Sequence, residues 1–162
     1  MTTRTLPSSW SVCLHEGSHA AALCVQGLIP RCVRTDLPTP KTLGRVEIDW
    51  ASGVNRDRAR KVLIATVIGG MTDGHEGWEN WPLEPKHVAV GARGDAEHAR
   101  TLGAFLDLDR VDWAHILWTA HQLARRQDFR SLAVRIGDEL ETREVLYADD
   151  LRELMEATRW NT

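Results

Sequence analysis

The stretch Cys13-Leu14-His15-Glu16-Gly17-Ser18-His19-Ala20 decides how the rest of the chain is read, because it contains the pattern His-Glu-x-x-His. On a helix, His15 and His19 stand one turn apart on the same face, so two imidazoles can grip one metal ion from a rigid element. Glu16 projects beside that face, near enough to serve a water on the metal and too close to its neighbours to be a third ligand. The flanks favour a helix. Ala20-Ala21-Ala22-Leu23-Cys24-Val25 has high propensity, Ser8 or Ser9 can cap the start, and Gly27 stands where a C-terminal glycine belongs. Apart from a polar stripe through His15, His19 and Gln26 the segment is apolar nearly all round, so it should be buried with one polar side facing something. The spacing predicts a zinc site on that side.

The chain has 162 residues and a mass of 18.2 kDa. It reads as a single domain over 1–162 with a flexible leader over 1–10, long enough to bury about 70% of its unfolded surface. A net charge of −3 and a pI near 6.2 provide no basic field for nucleic acid, and the arginines are dispersed along helices. Cys13, Cys24 and Cys32 are odd in number and without paired spacing, which marks them as buried thiols of a reducing compartment and poor nucleophiles. Met1 to Trp10 lacks the apolar core of a signal peptide, and the longest apolar run, around Val62 to Met71, is too short to span a bilayer. The expectation is a cytoplasmic protein with neither a membrane nor a nucleic acid as partner.

Beyond the first helix, Arg31 to Leu37 and Leu43 to Trp50 read as two strands around Pro38-Thr39-Pro40-Lys41, and Val46, Ile48 and Trp50 alternate with polar residues. A small sheet with an edge follows, blunted by charges or able to hold an extended peptide by strand addition. Asn55 caps a buried central helix from about Asp57 to Ile68, where Gly69-Gly70 either ends the helix or permits close packing. The segment from Asp73 to Pro82 is a polar loop with Trp78 and Trp81, read as anchors of the loop to the core. Gly94-Asp95 opens a helix with an apolar stripe through Ala99, Leu102, Gly103 and Leu106. Another runs from Val111 to Arg126 and leaves His115 and His121 at the surface. Asp128 can cap a helix to about Leu140, and Asp149-Asp150 begins the last. The fold class is therefore mostly α, of α+β type, with a small β-hairpin or sheet after the motif helix, and the His-Glu-x-x-His pattern on that helix makes a helical zincin-like peptidase domain the expectation.

Catalytic zinc takes three protein ligands and leaves a fourth position for water, so a distant residue must join His15 and His19. Asp73, His75, Glu76, Glu79, Asp95 and His98 are all candidates, and their chemistry alone does not choose among them. The run His15-Glu16-Gly17-Ser18-His19-Ala20 resembles the His-Glu-Ala-Gly-His-Ala motif of the peptidase module of FtsH-type ATP-dependent zinc metallopeptidases. Leu28-Ile29-Pro30-Arg31 before a hairpin and Ile68-Gly69-Gly70 in the next helix are similar to segments of that family in the same order. Gly91-Ala92-Arg93-Gly94-Asp95-Ala96-Glu97-His98-Ala99 is similar to its Gly-Ala-Ser-Asn-Asp-Leu-x-x-Ala segment, whose aspartate is the third zinc ligand. The resemblance thus implies Asp95. It departs at Gly17-Ser18, where the family has alanine and glycine. It departs again at Met71-Thr72-Asp73-Gly74-His75-Glu76, where the family has Arg-Ala-Ala-Glu-Glu after the glycine pair. No ATPase module, phosphate-binding loop or membrane helix accompanies it here.

The resemblance and the motif together imply a stand-alone zinc-dependent endopeptidase with one Zn2+ per chain. His15, His19 and Asp95 would be the ligands and Glu16 the general base for a zinc-activated water. Each histidine should give its second N–H to a carboxylate or a carbonyl, for which Asp73 and Glu76 are candidates. Without an unfolding engine the substrates would be peptides or unstructured protein segments, free or presented by a partner. The alternative is a catalytically silent, zinc-stabilised binding or regulatory module, against which the retention of Glu16 speaks. Nothing in the sequence sets the oligomeric state.

Overall fold

A computed structural model of the chain describes residues 9–36, 44–51, 53, 55–72 and 92–159. Helices dominate it, with one small antiparallel sheet. The first helix, α1, spans Ser9–Val25, and from Cys13 to Cys24 every residue except Leu14 is buried. It ends in the way its glycine predicts. Gly27 takes φ 77°, its N–H donates to the Cys24 carbonyl at 2.9 Å, and the Leu28 N–H donates to the Leu23 carbonyl at 2.9 Å, which together close a Schellman motif.

A second helix, α2, spans Arg56–Thr72 and lies against one side of α1. Asn55 caps it as expected, its Oδ1 accepting the Arg58 N–H at 2.8 Å. Gly69-Gly70 does not end it, and of the two roles open to the pair, close packing is realised at Gly69. The helices α3 (Ala92–Phe105) and α4 (Arg110–Ala124) pack on α2. The indole of Trp113 in α4 lies where a Cβ on Gly103 of α3 would come within 2.2 Å, so the two helices cross at a glycine. Asp109 and Asp112 form a reciprocal capping box at the start of α4.

On the opposite side of α1 runs α5, Gln127–Arg143, followed by α6, Ala148–Arg159. The α1–α5 contact is built from small residues. A Cβ on Gly17 would meet the Ala133 carbonyl oxygen at 2.8 Å, and one on Gly137 would meet the Leu14 Cα at 3.4 Å. Asp128 was expected to cap α5, but the helix starts one residue before it with Arg126 at the N-cap. Asp128 instead accepts the Phe129 N–H at 2.9 Å and pairs with Arg126, strengthening the first turn from inside.

The strands β1 (Cys32–Arg34) and β2 (Arg45–Glu47) pair antiparallel, with Val33 opposite Val46. Both are shorter than the sequence suggests. Arg34 turns to pair with Asp36 at 2.7 Å, and the Thr35 N–H leaves the β2 side for the Glu144 carbonyl at 2.8 Å. A third strand, β3 (Val145–Tyr147), joins on the other side of β1, so the order is β2-β1-β3. It is not legible in the sequence, because three residues between two helices carry no readable alternation. Val33 and Leu146 are fully buried, which ties the sheet to the helical core. Among the described residues no helix is long and apolar enough to cross a membrane.

Candidate metal centre

The site stands where α1, α2 and α3 meet. His15 and His19 lie on one face of α1, as the four-residue spacing requires, with each residue 8% exposed. The resemblance assigned Asp95 as their partner, and α3 carries it into place from 80 positions along the chain. His15 Nε2 stands 2.9 Å from Asp95 Oδ2, His19 Nε2 stands 3.2 Å from the same oxygen, and the two Nε2 atoms are 3.0 Å apart. Because α3 begins at Ala92, three residues earlier, Asp95 is past the capping position and its carboxylate is available to the site.

The proton count at these atoms decides what they can hold. His19 Nδ1 is 2.8 Å from the Ala65 carbonyl oxygen, which can only accept, so Nδ1 carries the hydrogen. In neutral His19 the Nε2 lone pair therefore points at the other two atoms. Two imidazole nitrogens and one carboxylate oxygen aimed at one spot need a cation between them, either protons or a metal ion. His15, His19 and Asp95 thus form a group that can hold a metal ion. Nitrogen and oxygen donors in this number suit zinc with one position left open, and the same donor set also occurs around iron.

Electrostatics follow from the burial. Desolvation alone would raise the Asp95 carboxyl, but the charge of His19 and the hydrogen bonds from His15 and His19 outweigh it and hold the group well below the usual carboxylate range. Desolvation alone would lower His19, and the Asp95 carboxylate reverses that, leaving its pKa above the ordinary imidazole value. Both shifts favour the charged forms of His19 and Asp95, so a metal ion binding there would have to displace a proton.

Glu16 is buried as well and lies beneath Gly44, the residue that leads into β2. A Cβ on Gly44 would come within 2.3 Å of Glu16 Cγ and 2.6 Å of its Oε1. On the other flank, a Cβ on Gly69 of α2 would come within 2.2 Å of His19 Cε1 and 2.4 Å of Nε2. Neither Gly44 nor the Ala65 carbonyl is marked by the sequence. The pair Gly69-Gly70 does give a signal for close packing, but it does not say what the space is for.

Of the other candidates, His98 sits one turn beyond Asp95 on α3, exposed and outside the cluster, although its proton still senses the charges of Asp95 and His19. Desolvation of its ring by the groups around it lowers its pKa first, with those charges acting in opposite senses. Asp73, His75, Glu76 and Glu79, with Trp78 and Trp81, lie outside the described residues. His115 is exposed and stacks on Trp118 with ring centroids 6.0 Å apart, whereas His121, expected at the surface, is half-buried. All three cysteines are free and buried, and burial pushes the Cys24 thiol up to about 12, which removes it as a nucleophile.

Comparison with known proteins finds no family whose pattern matches this chain and no curated protein that matches it.

Proposed function

We propose that the protein is a zinc-dependent endopeptidase, acting on peptide bonds in peptides or unstructured protein segments, free or presented by a partner. The observation that carries this reading is the convergence of His15 Nε2, His19 Nε2 and Asp95 Oδ2 within 3.2 Å of one another, with Glu16 buried next to the first ligand. A zinc ion held by those three atoms would supply Lewis acidity and a water that ionises towards about pH 7. Glu16 is then the group that would take a proton from that water and pass it to the leaving amine. His19 keeps its ring orientation and tautomer through the Ala65 carbonyl, and Asp95 balances the charge of the ion. Glu16 also favours zinc hydrolysis over the iron chemistry open to the same donor set, since binding a metal does not require a carboxylate at that position. The likeness of the motif and of the Gly91 to Ala99 segment to FtsH-type peptidases supports the same reading.

The test is Glu16→Gln, assayed for zinc by elemental analysis and for cleavage of an unfolded protein. Zinc should stay near one per chain while cleavage falls by about 10²–10⁴-fold. Equal cleavage by the two forms would remove Glu16 from the chemistry. No cleavage by either, with zinc bound, would make the site a structural one in a binding module.

A further inference from the structure

Among the described residues, three glycines would each bring a Cβ to within 2.4 Å of a side chain, and two of those side chains belong to the candidate centre. Gly44 and Gly69 come from different elements, the lead into β2 and the last turns of α2, and each presses on a different group of the site. Neither needs to be glycine for its backbone, because neither has a positive φ and Gly69 is inside a helix. What each supplies is space.

We propose that Gly44 is a positioning residue for Glu16 and Gly69 one for His19, so that two glycines separately set the proton-accepting carboxylate and the metal-ligating imidazole. This division rests on the peptidase reading above for the role of Glu16, and on the metal site alone for the role of His19.

The physical argument is one of available retreat. At Gly44 an added Cβ would overlap Cγ, Cδ and Oε1 of Glu16, and the side chain is the movable partner, so the carboxylate must swing away from where it now stands. None of the atoms that the new Cβ would overlap belongs to His15, His19 or Asp95. At Gly69 the Cβ would overlap the ring of His19, which is held at Nδ1 by Ala65 and enclosed by the core, and the displaced atoms include Nε2 itself. Metal holding is then what suffers. Two substitutions of one methyl group each therefore have opposite signatures, which a general loosening of the fold does not produce.

The experiment compares Gly44→Ala and Gly69→Ala in the full chain, measuring zinc affinity by competition with a chromophoric chelator and turnover on an unfolded protein. Gly44→Ala should keep the affinity of the unsubstituted protein and lose about 10²–10⁴-fold in kcat. Gly69→Ala should weaken zinc by about 10–100-fold, the effect of disturbing a group that orients a ligand. Combining Gly44→Ala with Glu16→Asp, which shortens the carboxylate by one methylene, should give at least the turnover of Gly44→Ala alone, although Glu16→Asp by itself lowers kcat. Full kcat in Gly44→Ala, loss of zinc affinity in that variant, or a further loss on adding Glu16→Asp would each overturn the assignment to Gly44. Unchanged zinc affinity in Gly69→Ala would overturn the other half.

If the unsubstituted protein binds zinc and cleaves nothing, the peptidase reading fails and thermal unfolding still decides the contact. Gly44→Ala should then lower Tm in the Glu16 background and leave it unchanged in a Glu16→Ala background, where the overlapping atoms are gone. Equal shifts in both backgrounds overturn the proposal. Should Gly44→Ala not fold alone, the double variant must fold as Glu16→Ala does, and its failure has the same meaning.

Discussion

The two sides of α1 use the same device for opposite ends. Towards α5, the missing Cβ of Gly17 faces the Ala133 carbonyl and the Gly137 backbone, groups that cannot move without moving a helix. Towards the metal centre, the missing Cβ atoms of Gly44 and Gly69 face the side chains of Glu16 and His19. Close approach to backbone fixes how near two helices lie, and so contributes to stability. Close approach to a side chain of the candidate centre limits where that side chain can point, and under the proposed function that would bear on chemistry. One helix can therefore carry a rigid seam and a candidate metal-holding face because adjacent motif residues, Glu16 and Gly17, are turned to different neighbours.

The sharpest way to break this division is on the face that carries the candidate centre. Asp95→Ala should cost at least about a hundredfold in zinc affinity, roughly 2.8 kcal/mol, since losing a ligand must exceed the loss of an outer partner. Chelator competition reads it directly, and full affinity in the variant would place the third ligand elsewhere. In the unsubstituted protein, free zinc at about a thousand times its Kd should add about 4 kcal/mol to unfolding stability, an increment that Asp95→Ala should largely lose.

On the seam, Gly17→Ala should cost about 1–3 kcal/mol in urea unfolding, because the new methyl group meets backbone and forces α1 and α5 apart. Zinc bound per folded chain should not change. A stable Gly17→Ala that loses zinc would reverse the assignment of the two faces.

The smallest effect lies far from both faces. The Asp150 carboxylate accepts the Tyr147 N–H at 2.8 Å and pairs with Arg143, and that backbone hydrogen bond is the main reason its pKa is lowered. A lowered folded pKa means the stabilisation is full above the ordinary value of 3.8 and is lost as pH falls through the folded one. Asp150→Asn should therefore cost about 0.3–1 kcal/mol near neutral pH, and the difference should vanish in acid. A gap between the two proteins that does not shrink as pH falls from neutral into acid would remove the charge from the explanation.

Much of this arrangement is legible in the residues. His15 and His19 share a face by spacing alone, Gly27 ends α1 where a glycine must, and Asn55 starts α2. The strand β3 was not legible, since Val145, Leu146 and Tyr147 become a strand only because β1 offers a free edge to pair with. Nor was the cap of α5, where Asp128 serves the first turn from within it. His19 finds its second partner in the carbonyl of Ala65, and no side-chain pattern marks a carbonyl as special.

Sequence by itself determined the helical character, the pairing of two histidines with a glutamate, and the apolar faces that must be buried, because these depend on spacing along a helix. The choice of Asp95 was reached through likeness to a family and not through local chemistry, since six residues met the chemical requirement. Tertiary structure alone decided that α3 delivers that carboxylate to within 2.9 Å of His15, and that Gly44 and Gly69 leave the space in which Glu16 and His19 stand. Distances between elements far apart in the chain come from packing, and packing is a property of the whole core.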